Sequence, residues 1–271
     1  MCRKLQFVTK ETKPGIMFQY LLKLLTDFPA HQHRANWQNS QFKTLIDNLP
    51  IDHAVCVHDF SESYRCSDQR ERQSSYFQKT EVSIHVTILY RHSILEKDGI
   101  YSSPENPKLI REQFFVISPD TQHDRSFTQY CQKQISTNVT CMDEWTDGCS
   151  SQYTSRLCMG DVSYNTLGYK TLIRNFYETS HAKGPQDAGG GFLKSQADIA
   201  VVRRKTKIQC AKDFYNFCTN NLQNPKSGMY NAAYLDIYRQ FRVMNLLITR
   251  QSQRIERFIK LFRRKILREN W

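Results

Sequence analysis

The chain of 271 residues has no long hydrophobic run. A membrane-spanning helix needs about 20 predominantly apolar residues, and no segment approaches that length, so we expect no membrane span. The N-terminal segment MCRKLQFVTKETKPG (1–15) has no apolar core of the kind that secretory signals contain. We therefore expect an intracellular protein, nuclear or cytoplasmic, rather than a secreted one.

Several common binding motifs are also missing. The nine cysteines include no Cys-X-X-Cys pair and their number is odd, so we expect reduced thiols rather than disulfides. The histidines and cysteines show no recurring ligand spacing, which argues against structural zinc. Gly184 and Gly189–Gly191 do not belong to a loop ending in Gly-Lys-Ser/Thr, so nucleotide triphosphate binding is excluded as well.

Positive charge is in excess. The formal net charge is +12, and residues 250–271 contribute half of it. A basic body with a more basic tail suits a polyanionic partner. In the tail, apolar residues recur at three- and four-residue steps over 248–270, which predicts an amphipathic helix that contributes to DNA backbone binding. Nuclear import and membrane-surface binding are the alternatives for this tail.

Hydrophobic periodicity predicts the order of helices and strands. Two N-terminal helices, separated by Pro29, precede three strands, and helices and strands then alternate up to the last helices. The predicted helices cover 16–26, 37–47, 120–135, 150–159, 192–204, 208–222, 229–248 and 250–269, and the predicted strands cover 53–60, 81–90, 111–118, 141–145 and 171–177.

This order predicts the fold class. Three meandering strands followed by alternating helices and strands define a mixed α/β sheet with helices on its faces, in the order of the ribonuclease-H-like fold. We predict a helical lead-in over 1–50, a ribonuclease-H-like core over 51–222, and a helical, basic C-terminal extension over 223–271.

Three aspartates stand where this fold would bring them together. Asp59 ends the first predicted strand, Asp147 follows the fourth, and Asp187 lies in a Gly-rich segment after the fifth. Converging carboxylates suit Mg²⁺ or Mn²⁺, which prefer oxygen ligands. Asp198 competes with Asp187 for the third position, and Glu62 is an auxiliary candidate. An ordinary turn role is the alternative for each aspartate.

Basic residues near the predicted site and in the tail are candidates for binding the nucleic-acid backbone. The set comprises His181, Lys183, Arg203, Arg204, Lys205, Arg263, Arg264 and Lys265. Two further acidic residues, Asp143 and Glu144, are expected to face outward from a short strand.

Five segments resemble a known family. They are FPAHQHRANWQNSQFKTLIDNLP (28–50), DFSESY (59–64), ISPDTQHD (117–124), TDGCSSQYTSR (146–156) and ETSHAKGPQDAGGG (178–191). Together they resemble transposon-derived, DDE-type transposase-like proteins of animal genomes, over roughly residues 15–222. The resemblance implies a ribonuclease-H-like catalytic core in which Asp59, Asp147 and Asp187 bind metal.

Three functional hypotheses follow. The first is a transposase-like, DNA-binding protein with a metal-dependent core for strand cleavage and strand transfer, in an active, domesticated or inactive form. The second is a non-catalytic remnant that binds nucleic acid, and the third is a partner-binding protein that acts through its C-terminal helix. A homo-oligomer is left open in each case.

Overall fold

The computed structural model describes residues 11–26, 28–67, 79–135, 139–164, 167–178, 182 and 184–222, together with the backbone of residues 229–234. The chain divides into two compact units, Met1–Thr44 and Leu45–Trp271. Helix α1 spans Pro14–Leu25 in the first unit, and α2 spans Phe28–Asp47, so that its last turn belongs to the second unit.

Pro29 does not separate two helices as predicted. It is the second residue of α2, where the missing N–H costs nothing because the first turn of a helix has no intrahelical acceptor for it. The predicted helix over 37–47 is therefore the C-terminal part of a longer helix.

The second unit contains a six-stranded mixed sheet in the order β5-β4-β1-β2-β3-β6. Strands β1, β2 and β3 pair antiparallel, whereas β4 runs parallel to β1, β5 parallel to β4, and β6 parallel to β3. The strands span His53–Arg65 (β1), Glu81–His92 (β2), Leu109–Ser118 (β3), Cys141–Thr146 (β4), Thr171–Phe176 (β5) and Met229–Tyr234 (β6).

Helices follow the meander in the predicted alternation. They span Leu95–Asp98 (α3), Arg125–Gln134 (α4), Arg156–Tyr164 (α5), Pro185–Val202 (α6) and Ala211–Asn221 (α7), with a π-helical turn over Ser150–Thr154 before α5. The order and direction of β1 to β5 are those of the ribonuclease-H-like fold, which confirms the predicted class. No helix within the described ranges is long and apolar enough to cross a membrane.

Both faces of the sheet are covered. On one face, β2 residues such as Ile84 and Val86 pack with Leu193 of α6 and Phe214 of α7. On the other face, Phe127 of α4 packs against the sheet, in a cluster separate from the first. Because side chains alternate along a strand, consecutive β1 residues enter different environments.

The prediction was wrong for the start of the C-terminal extension. Residues 229–234, expected to be helical, form β6 and pair with β3 over Glu112–Ile117. An open strand edge offers a row of backbone hydrogen bonds that local periodicity cannot reveal. The predicted helix over 250–269 and the basic residues Arg263, Arg264 and Lys265 lie outside the described residues.

Candidate metal centre

Asp59 lies within β1, which continues to Arg65 instead of ending at Asp59 as predicted, and Asp147 directly follows the neighbouring parallel strand β4. The register of β1 and β4 runs from His53 opposite Cys141 to Val57 opposite Trp145. Asp59 and Asp147 each lie two residues beyond this last pair, and adjacent strands are roughly 4.8 Å apart. The two carboxylates are close enough for the charge of Asp147 to raise the pKa of Asp59.

Asp187 approaches from the start of α6. It is the third residue of that helix, and its Oδ2 accepts a hydrogen bond of 2.9 Å from the Gly184 N–H. An acidic residue is favourable here because the first turn has unpaired N–H groups and the positive end of the helix dipole. The side chain is exposed, so it can reach solvent or a ligand.

Gly190 allows α6 to lie this close to β1. A Cβ at Gly190 would come within 2.6 Å of the Ser61 Cβ, so a larger residue would push the helix away from the strand. Ser61 is two residues beyond Asp59 on the same face of β1. The Gly-rich segment therefore allows α6 to pack closely against β1, the strand that contains Asp59.

The electrostatics of Asp59 reflect the two neighbouring carboxylates. Its pKa is raised from the ordinary 3.8 to about 7, chiefly by burial and also by the negative charges of Asp147 and Asp187. A hydrogen bond of 2.7 Å from the Phe60 N–H to Asp59 Oδ1 acts in the opposite sense. Like charges this close disfavour ionisation until a cation relieves them.

The three carboxylates are not spaced closely enough to surround a single small ion. Within the described part of the chain, Asp59, Asp147 and Asp187 are not a group whose ligand atoms all lie within 4.8 Å of one another. A centre with two ions about 3.5–4 Å apart accommodates a wider spacing of its carboxylates. The predicted metal-binding role of the three residues stays a prediction.

Asp198 occupies a different environment from Asp187. It lies eleven residues further along α6, which corresponds to about 16 Å of helix. Burial and the nearby, hydrogen-bonded Asp198 carboxylate raise the pKa of the Tyr64 hydroxyl, whereas Asp198 is not among the groups that raise the pKa of Asp59. The geometry therefore favours Asp187 over Asp198 as the third carboxylate.

Glu62 also points away from the cluster. Its exposed side chain lines a surface cavity of about 610 Å³ together with Tyr64, Lys194 and Asp198. Lys194 Nζ donates a hydrogen bond of 3.0 Å to the Glu62 carbonyl oxygen. This position groups Glu62 with Asp198 rather than with Asp59.

The expectation that Asp143 and Glu144 face outward was wrong. Asp143 is 7% exposed and Glu144 only 1%, because β4 is flanked by strands on both sides and covered on both faces. Arg174 on β5 donates a hydrogen bond of 2.8 Å from Nε to Glu144 Oε2, and its Nη2 forms an ion pair with the same oxygen at 2.8 Å. The buried charge of Glu144 is thus paired.

The basic candidates fall into two groups. His181 and Lys183 lie outside the described residues. Arg203, Arg204 and Lys205 form an exposed turn after α6, in which Arg204 has a positive φ of 57°. Arg203 comes sixteen positions after Asp187, about 24 Å along the helix axis, so that one ligand could reach both only if it is extended.

A buried histidine layer beneath the cluster was not predicted. His58 and His85 are 0% and 1% exposed, with ring centroids 5.5 Å apart. Burial lowers the pKa of His85 to about 3 and that of His58 well below its ordinary value, so both are neutral at pH 7. The signal in the sequence was the run of alternating residues in VCVHDF, since a strand that buries both faces must bury its histidine.

Comparisons with known proteins give a family but no activity. No curated protein matches the sequence. Among solved structures, the crystal structure of LC9-RNase H1, a type 1 RNase H with the type 2 active-site motif, is similar at 12% identity, 72% coverage of this chain and 92% of that one, with a TM-score of 0.29. At this level of similarity the fold assignment rests on strand order and direction instead. The model of one family matches residues 38–251, and the chain therefore belongs to that family, described as a domain of unknown function (DUF8701).

Proposed function

We propose that this protein acts on phosphodiester bonds of nucleic acid with the help of Mg²⁺ or Mn²⁺ held by Asp59, Asp147 and Asp187. The observation that carries the proposal is the convergence of a half-buried Asp59 with two other carboxylates, whose negative charges contribute to its raised pKa. A like-charged cluster at the end of a sheet is unfavourable by itself, and a divalent cation offsets the repulsion.

Backbone hydrogen bonds hold the three carboxylates in place. Asp59 Oδ1 accepts from the Phe60 N–H at 2.7 Å, Asp147 Oδ1 from the Cys149 N–H at 3.1 Å, and Asp187 Oδ2 from the Gly184 N–H at 2.9 Å. Each of these bonds uses one carboxylate oxygen, so the second oxygen can face a cation. Such preorientation lowers the reorganisation that cation binding requires.

The chemistry that bound ions supply in such centres is activation of a water or a 3′-hydroxyl and stabilisation of the leaving oxygen. The residues of this chain would hold the ions and position the scissile phosphate between Asp59 and Asp147. Asp187, being exposed at a helix start, would contact the cluster from the solvent side.

DNA is the substrate that we propose, in a strand-cleavage and strand-transfer reaction of the transposase-like kind. The net charge of +12 supports a polyanionic partner, and the resemblance of the segments around Asp59, Asp147 and Asp187 to DDE-type transposase-like proteins supports the reaction class. The basic turn at Arg203–Lys205 would contact backbone phosphates away from the scissile bond.

A second candidate function is nucleic-acid binding without turnover. It is favoured by the spacing of the three aspartates, which exceeds 4.8 Å in at least one pair, and by the engagement of Asp187 with Gly184 at the start of α6. In this alternative Asp187 is a helix-capping residue and the fold is a scaffold for the basic surface.

The two candidates differ in a cleavage assay on labelled DNA with Mg²⁺ or Mn²⁺. We expect Asp59→Asn and Asp147→Asn to lower cleavage by at least about 10²-fold, the upper end of the loss seen when a residue that only supports a metal ligand is replaced, while DNA binding is kept. Asp198→Asn, on the same helix as Asp187, is the matched control and should cleave normally. If the wild type binds DNA but cleaves no better than Asp59→Asn, the non-catalytic alternative is correct.

A further inference from the structure

A second group of metal-ligating side chains lies on the opposite face of β1 from Asp59. Cys56, His58 and Glu144 offer ligand atoms that all lie within 4.8 Å of one another, and all three residues are buried. The strand register explains the grouping, since Cys56 is paired with Glu144 across β1 and β4 and His58 follows two residues later on the same face.

His58 is unusual within this group. Its side chain is 0% exposed, and neither Nδ1 nor Nε2 has a hydrogen-bonding partner in the protein. Buried polar atoms are satisfied in the large majority of cases, so an imidazole with two unpaired nitrogens in a ring of potential ligands points to a ligand. Neutral imidazole is the form that binds a metal.

We propose that Cys56, His58 and Glu144 form a binding site for Zn²⁺ or a similar thiophilic divalent cation, distinct from the carboxylate cluster. Thiolate, imidazole and carboxylate are all established zinc ligands, and a zinc site with three protein ligands takes water at its fourth position. Mg²⁺ is a poor match, because it prefers oxygen ligands and nearly octahedral geometry.

The surroundings are compatible with a divalent charge. On binding the ion, the Cys56 thiol would release its proton to solvent, and the resulting thiolate and the Glu144 carboxylate would together offset the two charges of the ion. Arg174 donates to Glu144 Oε2, and because a carboxylate has two oxygens, Glu144 can hold an ion and Arg174 together. Asp161 lies close enough to stabilise the positive charge of Arg174.

The proposed ion would link β1, which contains Asp59, to β4, which directly precedes Asp147. It would therefore stabilise the sheet where the carboxylate cluster is built, without contacting a substrate. Ligand spacing along the sequence does not reveal such a site, because Cys56 and His58 are two residues apart on one strand and Glu144 comes from another strand.

Cobalt substitution tests the proposal directly. Protein freed of metal by a chelator is titrated with Co²⁺, and thiolate ligation is detected as a near-ultraviolet thiolate-to-cobalt charge-transfer band that Zn²⁺ abolishes. We expect this band in the wild type and in Cys141→Ala, which removes the thiol of the other three-ligand group, Asp52, His53 and Cys141. Cys56→Ala should lose the band and weaken Zn²⁺ binding by on the order of 10²-fold.

Cys131→Ala controls for the loss of a buried thiol, since Cys131 is 2% exposed and not part of either group. It should keep the band. In case Cys56→Ala does not fold, the wild type gives an independent readout, because Zn²⁺ should slow alkylation of Cys56 in dilute denaturant more than that of Cys131. No band in the wild type, a band that survives in Cys56→Ala, or equal protection of the two thiols would overturn the proposal.

Discussion

Gly190 of α6 lies so close to Ser61 of β1 that a Cβ on the glycine would come within 2.6 Å of the serine Cβ. This close contact places the start of α6 against β1, the strand that contains Asp59. The three carboxylates therefore come together in two ways. Asp59 and Asp147 are close because β1 and β4 are paired, whereas Asp187 is close because α6 packs against β1.

Gly190→Ala should therefore destabilise the protein by about 1–3 kcal/mol, the usual effect of overpacking a tight contact. Urea unfolding measures it. Gly191→Ala is the matched control, because nothing lies within 4 Å of a Cβ at that position, and alanine in an open helical site should stabilise by up to about 1 kcal/mol. Equal effects of the two substitutions would show that the contact with Ser61 is unimportant.

The raised pKa of Asp59 predicts a stability that depends on pH. With a native pKa of about 7 against an ordinary 3.8, the native state binds more protons than the unfolded state between these values. The free energy of unfolding should thus fall as pH rises from about 4 to about 7 through this group. Asp59→Asn should melt at a higher temperature than the wild type at pH 8, with a smaller difference at pH 5.

Mg²⁺ or Mn²⁺ should reduce the difference at pH 8, because a cation bound to the native state relieves the same repulsion. A wild type and an Asp59→Asn variant with parallel melting profiles from pH 5 to pH 8 would contradict the electrostatic account of Asp59.

The buried pair of Glu144 and Arg174 predicts an asymmetric mutational effect. Arg174→Met leaves the Glu144 carboxylate buried without its partner and should destabilise by about 3–5 kcal/mol. Adding Glu144→Gln should recover part of that loss, since a neutral amide is easier to bury than an unpaired charge. Urea unfolding of the two single variants and the double variant in the presence of a chelator checks this, and additive effects would refute the coupling.

The basic turn predicts a change in salt dependence. The triple variant replaces Arg203 and Lys205 by Gln and Arg204 by Asn, because Asn tolerates the positive φ at this position. This variant should lower the slope of log affinity for duplex DNA against log salt by up to about 3. Fluorescence anisotropy over a salt series measures the slope. Lys108→Gln, which removes an exposed cation from the loop before β3, should leave the slope nearly unchanged. A triple variant with the wild-type slope would remove this turn from the DNA-binding surface.

Sequence patterns predicted the elements that local periodicity determines. The alternation of Val82, Ile84, Val86 and Ile88 gave β2, and the order of the elements gave the pairing of β1 with β4. Burial of Glu144 was not predictable, because it depends on Arg174 from a neighbouring strand that is distant in sequence. The same holds for β6, whose strand conformation depends on the open edge of β3.

The candidate site, like the fold, was predictable from the sequence only in part. Asp59 and Asp147 were predicted from the apolar strands that they were expected to follow, and the fold places those two strands side by side. The choice between Asp187 and Asp198 required the position of α6 on the sheet, which depends on the contact of Gly190 with Ser61. Residues His58 and His85 were missed because the apolar run VCVHDF indicates a buried histidine only once both faces of the strand are known to be covered.

The central claim is that Asp59, Asp147 and Asp187 together bind a divalent cation. The most direct test is to measure Mn²⁺ binding to the wild type and to four Asp→Asn variants by calorimetry, with magnetic resonance of the free ion as a second readout. The account predicts that Asp59→Asn, Asp147→Asn and Asp187→Asn each weaken Mn²⁺ binding by about 10–100-fold, while Asp198→Asn binds Mn²⁺ like the wild type. Wild-type affinity in Asp59→Asn, or an equal loss in Asp187→Asn and Asp198→Asn, would contradict it.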